Sequence, residues 1–438
     1  MKSLDYRKII TELCRIILGV TFLFSGVVKS IDPIGGALIM ENYFGAFGLS
    51  VLNPLALFAS VNLSALEFLL GICILTAVYP KLTTCCMLVL MSFMTLLTLY
   101  LAIFNPVHDC GCFGQAIILT NLETFLKNAL ILLPASIVTF VYYEKMTPVY
   151  TNKVYWFTVI FGYLYIVGFT YYNYYHLPLI DFLPYKIGVN IPQQMSFPEG
   201  APQDVYDFIY EKDGKKKAFK PSDIPYDDDS WSFVERKLIK KGYEPPITSF
   251  ELYDENEYNM ADMLLENDKG VFLLISPALE KASDKHIDEI NNIYDYAVEQ
   301  DMLFYCATSS SKEIRDLWVH NTGAEYPFLT ADDVTLKSIV RANPGLVLLK
   351  SGTILQKWNH NDIPSDEAVA DVIEGLLNPT DENNLKENNL MLWFSYCFAL
   401  PLLLVWMYDY FRNRRKITLK RRTSPWPPSK GELRIDNY

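Results

Sequence analysis

The chain has 438 residues, is 51% hydrophobic and carries a formal net charge of −12. It is too long for one compact domain, and the acidic balance argues against nucleic acid as a partner. The apolar excess is not spread evenly. It gathers in six blocks near 9–28, 52–78, 82–104, 124–142, 154–175 and 390–411, each close to the roughly 20 residues a helix needs to cross the hydrocarbon core. The first block is longer than the apolar core of a cleaved leader and reads as an anchor that stays.

Charge is partitioned as sharply as hydropathy. Residues 176–389 hold 39 acids and 20 bases, a net of −19; the remainder holds 11 acids and 18 bases, a net of +7. The segment after the sixth block is basic (Arg412, Arg414, Arg415, Lys416, Lys420, Arg421, Arg422), and Lys2, Arg7 and Lys8 precede the first. Positive charge marks the cytoplasmic side. Six crossings put both ends there, and Lys81, Lys145 and Lys153 fall on the same side. The loop between spans three and four and the acidic insert then face the opposite side.

In chain order, Glu12 and Arg15 sit three apart on one face of span one, near its cytoplasmic end. Span one closes at Asp32-Pro33-Ile34-Gly35-Gly36, where proline and paired glycines predict a helix end. Span two carries Glu67 deep in an apolar run. An acid at that depth faces the bundle interior, either in a proton path or as a neutral group satisfied by a neighbour. Thr120 and Asn121 predict a helix cap at the start of span four. Span five ends in Tyr171-Tyr172-Asn173-Tyr174-Tyr175, an aromatic belt at a water interface.

Residues 177–245 read as a β or irregular segment with a hairpin turned at Asp213-Gly214. From 246 to 379 the pattern alternates: a strand at Ile247–Leu252, a short helix at Met260–Glu266 and a strand at Gly270–Ser276. A helix over 280–300, a strand at Met302–Thr308 and helices over 311–321 and 333–341 follow. The run closes with strands at Pro344–Lys350 and Ile354–Trp358 and a helix over 364–377. Such alternation predicts an α/β sheet domain. The sixth span is expected over 388–411, followed by a basic tail over 412–438.

Of the eight cysteines, Cys110 and Cys112 alone lie outside apolar segments, in Asn105-Pro106-Val107-His108-Asp109-Cys110-Gly111-Cys112-Phe113-Gly114. Two thiols one glycine apart can close a disulfide only in a turn, since their Cα atoms must come within about 4.4–6.8 Å, and Gly111 tolerates such torsions. The ring would be small, and strained exposed disulfides are oxidising. His108 beside the pair would favour a thiolate. Three readings stay open: thiol–disulfide exchange passing electrons to a membrane quinone, a structural disulfide, and a metal held by Cys110, Cys112 and His108 or Asp109. Transport through the bundle rests on Glu67 and the interior glycines alone. Cys306, in an apolar strand, reads as a core residue.

Residues 1–145 resemble the DoxX superfamily of bacterial membrane proteins, in particular its MauE-like branch. The matching residues are Phe24-Ser25-Gly26 with Lys29, Asp32 and Pro33; Glu67 with Gly71; and Asn105–Val107 with Asp109–Gly114. Gln115 departs from the pattern, standing where relatives carry an acid. The resemblance implies a role in thiol–disulfide maturation; joined to the reading of the residues, it gives an expected inner-membrane redox accessory with Cys110 and Cys112 as the reacting pair and His108, Asp109, Glu67, Lys29 and Asp32 in support. Residues 246–379 resemble a thioredoxin-like domain, with Arg341-Ala342-Asn343-Pro344-Gly345 as its cis-proline loop. Ser276-Pro277-Ala278-Leu279 stands in place of Cys-x-x-Cys, so that domain would hold periplasmic or envelope proteins without exchanging disulfides itself. The expected molecule is an integral membrane α-helical bundle of about six transmembrane helices with an inserted soluble α/β thioredoxin-like domain. It would lie in a bacterial inner (cytoplasmic) membrane, with that domain periplasmic. The rival expectation is a non-catalytic envelope anchor with a structural disulfide.

Overall fold

The computed structural model describes residues 5–107, 110–212, 214–224, 228, 230–240, 242–377 and 388–423. The chain divides into two compact units, Met1–Phe182 with Pro379–Tyr438, and Leu183–Asn378.

The first unit is helical. Its helices are α1 (Tyr6–Ile31), α2 (Pro33–Ala46), α3 (Ala56–Thr76), α4 (Pro80–Phe104), α5 (Asn121–Lys127), α6 (Leu133–Val141) and α7 (Tyr155–Tyr175). Among the described residues, six stretches are long and apolar enough to cross a membrane: Tyr6–Ile31, Ser50–Thr76, Pro80–Phe104, Asn121–Val141, Asn152–Tyr175 and Leu390–Asn413. Span four is not one α-helix. A π-turn over Asn128–Leu132 joins α5 to α6, just before Pro134, a residue with no N–H to give the helical ladder. α1 and α3 cross at close range. A Cβ placed on Gly26 would come within 2.6 Å of the Phe68 backbone nitrogen, so only glycine permits this approach.

One helix here was not expected. Pro33 and the paired glycines read as a stop, yet α2 starts at Pro33 itself. The Asp32 carboxylate accepts from the Gly35 amide at 2.8 Å, capping the new helix, and proline at a first helical position gives up only an N–H without an intrahelical partner. The same residues that end α1 therefore begin α2.

The second unit opens with α8 (Ile191–Met195) and a three-stranded antiparallel sheet in the order β2-β1-β3, formed by β1 (Val205–Lys212), β2 (Lys215–Phe219) and β3 (Ser232–Lys240). The predicted hairpin is present, with Lys212 paired to Lys215; Asp213 lies outside the described residues. β3 was not foreseen, because its alternation is broken by Glu235, Arg236 and Lys237 and it is exposed along its length.

There follow α9 (Ala261–Glu266), β4 (Val271–Ser276), α10 (Ile287–Glu299), β5 (Leu303–Thr308), α11 (Lys312–Thr322), β6 (Phe328–Thr330), α12 (Asp333–Ile339), β7 (Gly345–Lys350), β8 (Thr353–Asn359) and α13 (Asp366–Leu377). The five-stranded sheet runs β6-β5-β4-β7-β8. β4 pairs parallel with β5 and antiparallel with β7, and β7 pairs antiparallel with β8. β4 is buried along its length, as a central strand covered on both faces must be. Phe272, Leu274, Ile290, Phe304 and Trp358 belong to one core. Cys306 is fully buried in it, and burial pushes its thiol up, which suits a packing residue.

Two expectations fail in this unit. Ile247–Leu252 forms no strand, although Ile247, Phe250 and Leu252 are buried. Pro245 and Pro246 precede it, and only the next residue, Tyr253, exchanges backbone hydrogen bonds with Thr330 of β6. The apolar residues recorded burial, not a ladder. The helix expected over 280–300 begins only at Ile287, after a separate short 3₁₀ turn at Leu279–Lys281.

The last helix, α14 (Asn388–Thr423), returns to the first unit. Phe398 packs against Phe68 and Tyr165. Asp409, buried, accepts from the Thr151 amide at 2.9 Å and from its hydroxyl at 2.7 Å. The helix runs well past the expected end of the span.

Candidate functional site: the cysteine loop and its buried ion pair

The loop between α4 and α5 is built by its own polar residues. Asn105 ends α4 in the left-handed region, at φ +51°. The Asn121 amide donates to Asn105 Oδ1 at 2.7 Å and to the Val107 carbonyl at 2.8 Å, tying both ends of the loop together. The sequence predicts a cap here, and Thr120 supplies it, in a capping box with Glu123 that starts α5. Gly111 has φ +63°, and a Cβ there would meet the Ile39 side chain of α2 at 2.8 Å. Glycine is required twice over, by torsion and by space.

This turn brings the two sulfurs to 2.8 Å, as free thiols. They are less accessible than expected. Cys110 is 6% exposed and Cys112 is half-buried, because the loop folds back on the bundle and Cys110 packs with Leu101 and Val107. The two thiols differ in acidity. Cys110 is lowered to about 7, chiefly because it accepts a hydrogen bond from the Cys112 thiol. Burial opposes this, while the Tyr43 hydroxyl and the charges of Lys29 and Lys127 add to it. Cys112 is pushed well above its ordinary value by that same hydrogen bond, then by burial and by the negative charge on Cys110. Cys110 is thus the thiolate and Cys112 the proton-bearing neighbour.

Beneath the loop, the Lys29 ammonium contacts the Glu67 carboxylate at 2.7 and 2.9 Å, and both side chains are buried. Ser25 connects this pair to the loop. Its hydroxyl lies 2.7 Å from Glu67 Oε2 and 2.6 Å from the Cys112 carbonyl oxygen, so one proton serves two acceptors. From α2, the Tyr43 hydroxyl donates to the Cys110 carbonyl at 3.0 Å. Lys127 stacks over Phe113 at 4.2 Å.

Of the residues singled out from sequence, Cys110, Cys112, Lys29 and Glu67 come together. Asp32 lines the same cavity as the cysteines but caps α2. His108 and Asp109 lie outside the described residues, and with them the third ligand of the metal alternative. Ser25, Tyr43 and Lys127 were not singled out for the site. Ser25 sits four residues before Lys29, on the same helical face, which was the available signal. Nothing local marks Tyr43, because its helix was not foreseen.

A helical membrane bundle with a paired-thiol loop over a buried ion pair defines the class of the first unit. Residues 7–141 match the family model described as Methylamine utilisation protein MauE, so this chain carries a MauE-family membrane domain. Residues 205–241, the three-stranded sheet, match a Domain of unknown function (DUF8463). No curated protein matches the chain.

Proposed function

We propose that the protein is an inner-membrane thiol–disulfide accessory whose reacting groups are Cys110 and Cys112. The observation that carries this reading is the 2.8 Å approach of two thiols with divided acidity. When the pair is joined as a disulfide, a client thiolate attacks Cys112, the residue of the two that is less buried overall. Attack there forms a client–Cys112 bond and breaks the Cys110–Cys112 bond. Cys110 leaves as the thiolate, and the lower the pKa of a leaving thiol, the faster it leaves. The client's second thiol then displaces Cys112, which takes up a proton. The client ends oxidised and the loop ends as a dithiol.

Lys29, Glu67 and Ser25 are positioning residues in this scheme, holding the Cys112 carbonyl and supplying charge. Basic residues at both ends favour cytoplasmic termini, which would put the loop and the acidic unit in the periplasm. A thioredoxin-like reading of the five-stranded sheet is supported by its parallel β5-β4 pair followed by antiparallel β7 and β8, and by Asn343-Pro344 just before β7. That unit would hold clients.

One observation favours the rival reading, a non-catalytic envelope anchor. The Ser276–Leu279 segment carries no thiol and is closed by its own hydrogen bonds. Ser276 donates to Asn343 Oδ1 at 2.7 Å, Asn343 donates to the Ala278 carbonyl at 2.8 Å, and Ser309 donates to the Pro277 carbonyl at 2.6 Å.

Thiol trapping separates the two. Membranes are quenched in acid and tagged with a maleimide of known mass before and after reductant. Exchange predicts a pair that shifts between dithiol and disulfide with the state of the envelope thiol pool, and client disulfides that fail in Cys110→Ser and Cys112→Ser alike. A pair that stays oxidised under every condition, with normal client disulfides in both variants, removes the exchange reading.

A further inference from the structure

A cavity of about 220 Å³ opens beside the paired thiols. Its walls are largely apolar, with Ile39 and Met40 from α2, Leu63 from α3, and Phe93, Met94 and Leu97 from α4. Its polar lining comprises Lys29, Asp32, Tyr43, Ser60, Gln115, Cys110 and Cys112. An engineered void of about 150 Å³ accepts benzene, so this one holds a six-membered ring with substituents and little more. α2 packs chiefly on α3, and α4 chiefly on α5 and α6. The gap between α2 and α4 is bordered by Phe93, 61% exposed on a membrane-spanning helix. An apolar side chain exposed on such a helix would meet lipid, which would let a ligand enter the cavity from the hydrocarbon.

We propose that this cavity binds the ring of a lipid-soluble quinone, which reoxidises Cys110 and Cys112. The inference rests on the thiol-exchange reading and names the acceptor that reading needs. Exchange leaves the loop as a dithiol, and the sulfur that carries the negative charge is shielded from water yet faces the cavity. The Cys110 thiolate and the Cys112 thiol together lose two electrons and one proton and form one S–S bond, and water supplies the second proton. The quinone gains both electrons and both protons, and its two carbonyls become hydroxyls. The Lys29 ammonium directs two of its three hydrogens at Glu67 and lines the cavity, so it supplies positive charge where a carbonyl oxygen becomes anionic. Both cysteines thus meet the cavity, and Cys110 is the more buried of the two.

The test uses the full chain, reduced and reconstituted in nanodiscs, with decylubiquinone as the probe. Quinol formation is followed by absorbance and the thiols by mass tagging. Wild type should convert one quinone per protein. Leu97→Trp and Met40→Trp, which fill the cavity from different helices, should each slow this by about tenfold or more. Their oxidation by glutathione disulfide should match wild type, which also reports that they are folded. Photolysis of an azidoquinone should label α2 and α4. Quinone rates unchanged in both filled variants overturn the site. So does a wild-type pair that glutathione disulfide oxidises and quinone does not, and there the exchange reading survives. A pair that neither oxidant converts removes both.

Discussion

The chemistry of the site is concentrated in one hydrogen bond between sulfurs. Cys110 at about 7 is half thiolate near neutrality, where an ordinary thiol near 9 is almost wholly protonated. Its alkylation by a small maleimide should therefore rise with pH through a midpoint near 7 and fall away below it, as the thiolate is protonated. Cys112→Ala removes the donor and should move that midpoint upward, toward 9; Tyr43→Phe should move it less, since the Tyr43 hydroxyl is a lesser contributor. Stopped-flow alkylation across pH reads both, and a midpoint unmoved by Cys112→Ala contradicts the assignment. The ion pair behaves differently. Removing one partner of a buried pair strands a charge and costs about 3–5 kcal/mol, while replacing both with apolar groups is often close to neutral. Lys29→Met or Glu67→Leu alone should lower the melting temperature in detergent sharply, and the double variant should recover most of it. A double variant as unstable as the two singles combined would show that the two side chains do not act as a pair.

At the scale of elements, the loop is held by its neighbours as much as by its own residues. Gly111→Ala forces a left-handed torsion on a residue with a Cβ, costing about 1–2 kcal/mol, and drives that Cβ into Ile39. Disulfide closure, read by mass tagging after mild oxidant, should slow markedly in Gly111→Ala. Ile39→Ala in the same chain should restore the part due to the clash and leave the torsional part. α14 depends on a different anchor. Asp409→Ala leaves the Thr151 amide and hydroxyl without the carboxylate that accepts from both; losing such a partner costs about 1–3 kcal/mol. Faster amide exchange at Thr151, with the loop around Cys110 unchanged, is the expected signature. Elements were legible wherever periodicity and side-chain chemistry agreed. The helix cap at Thr120 and the short apolar strand β4 were both readable. α2 was not, because Asp32-Pro33 serves as a stop for one helix and a start for the next. Ile247–Leu252 misled for the opposite reason: Ile247, Phe250 and Leu252 are buried, but the segment meets β6 only at the next residue, Tyr253, and builds no ladder.

For the whole molecule, orientation is the property everything else depends on. With cytoplasmic termini, protease added to inverted vesicles should trim the basic tail, and a cysteine placed at Ser222 should react with an impermeant maleimide in spheroplasts. The reverse pattern would put Cys110 and Cys112 on the reducing side, where disulfides do not persist. Membrane spans, the division into a helical unit and an acidic sheet-bearing unit, and the identity of the paired cysteines were all determined by the sequence alone, because hydropathy, charge and residue spacing are local properties of the chain. That Glu67 meets Lys29 across 38 positions, that Ser25 links them to Cys112, and that Cys110 lies buried beside an apolar cavity were decided by tertiary structure. Such contacts arise from how helices cross, and the close crossing permitted at Gly26 leaves no local periodic signature.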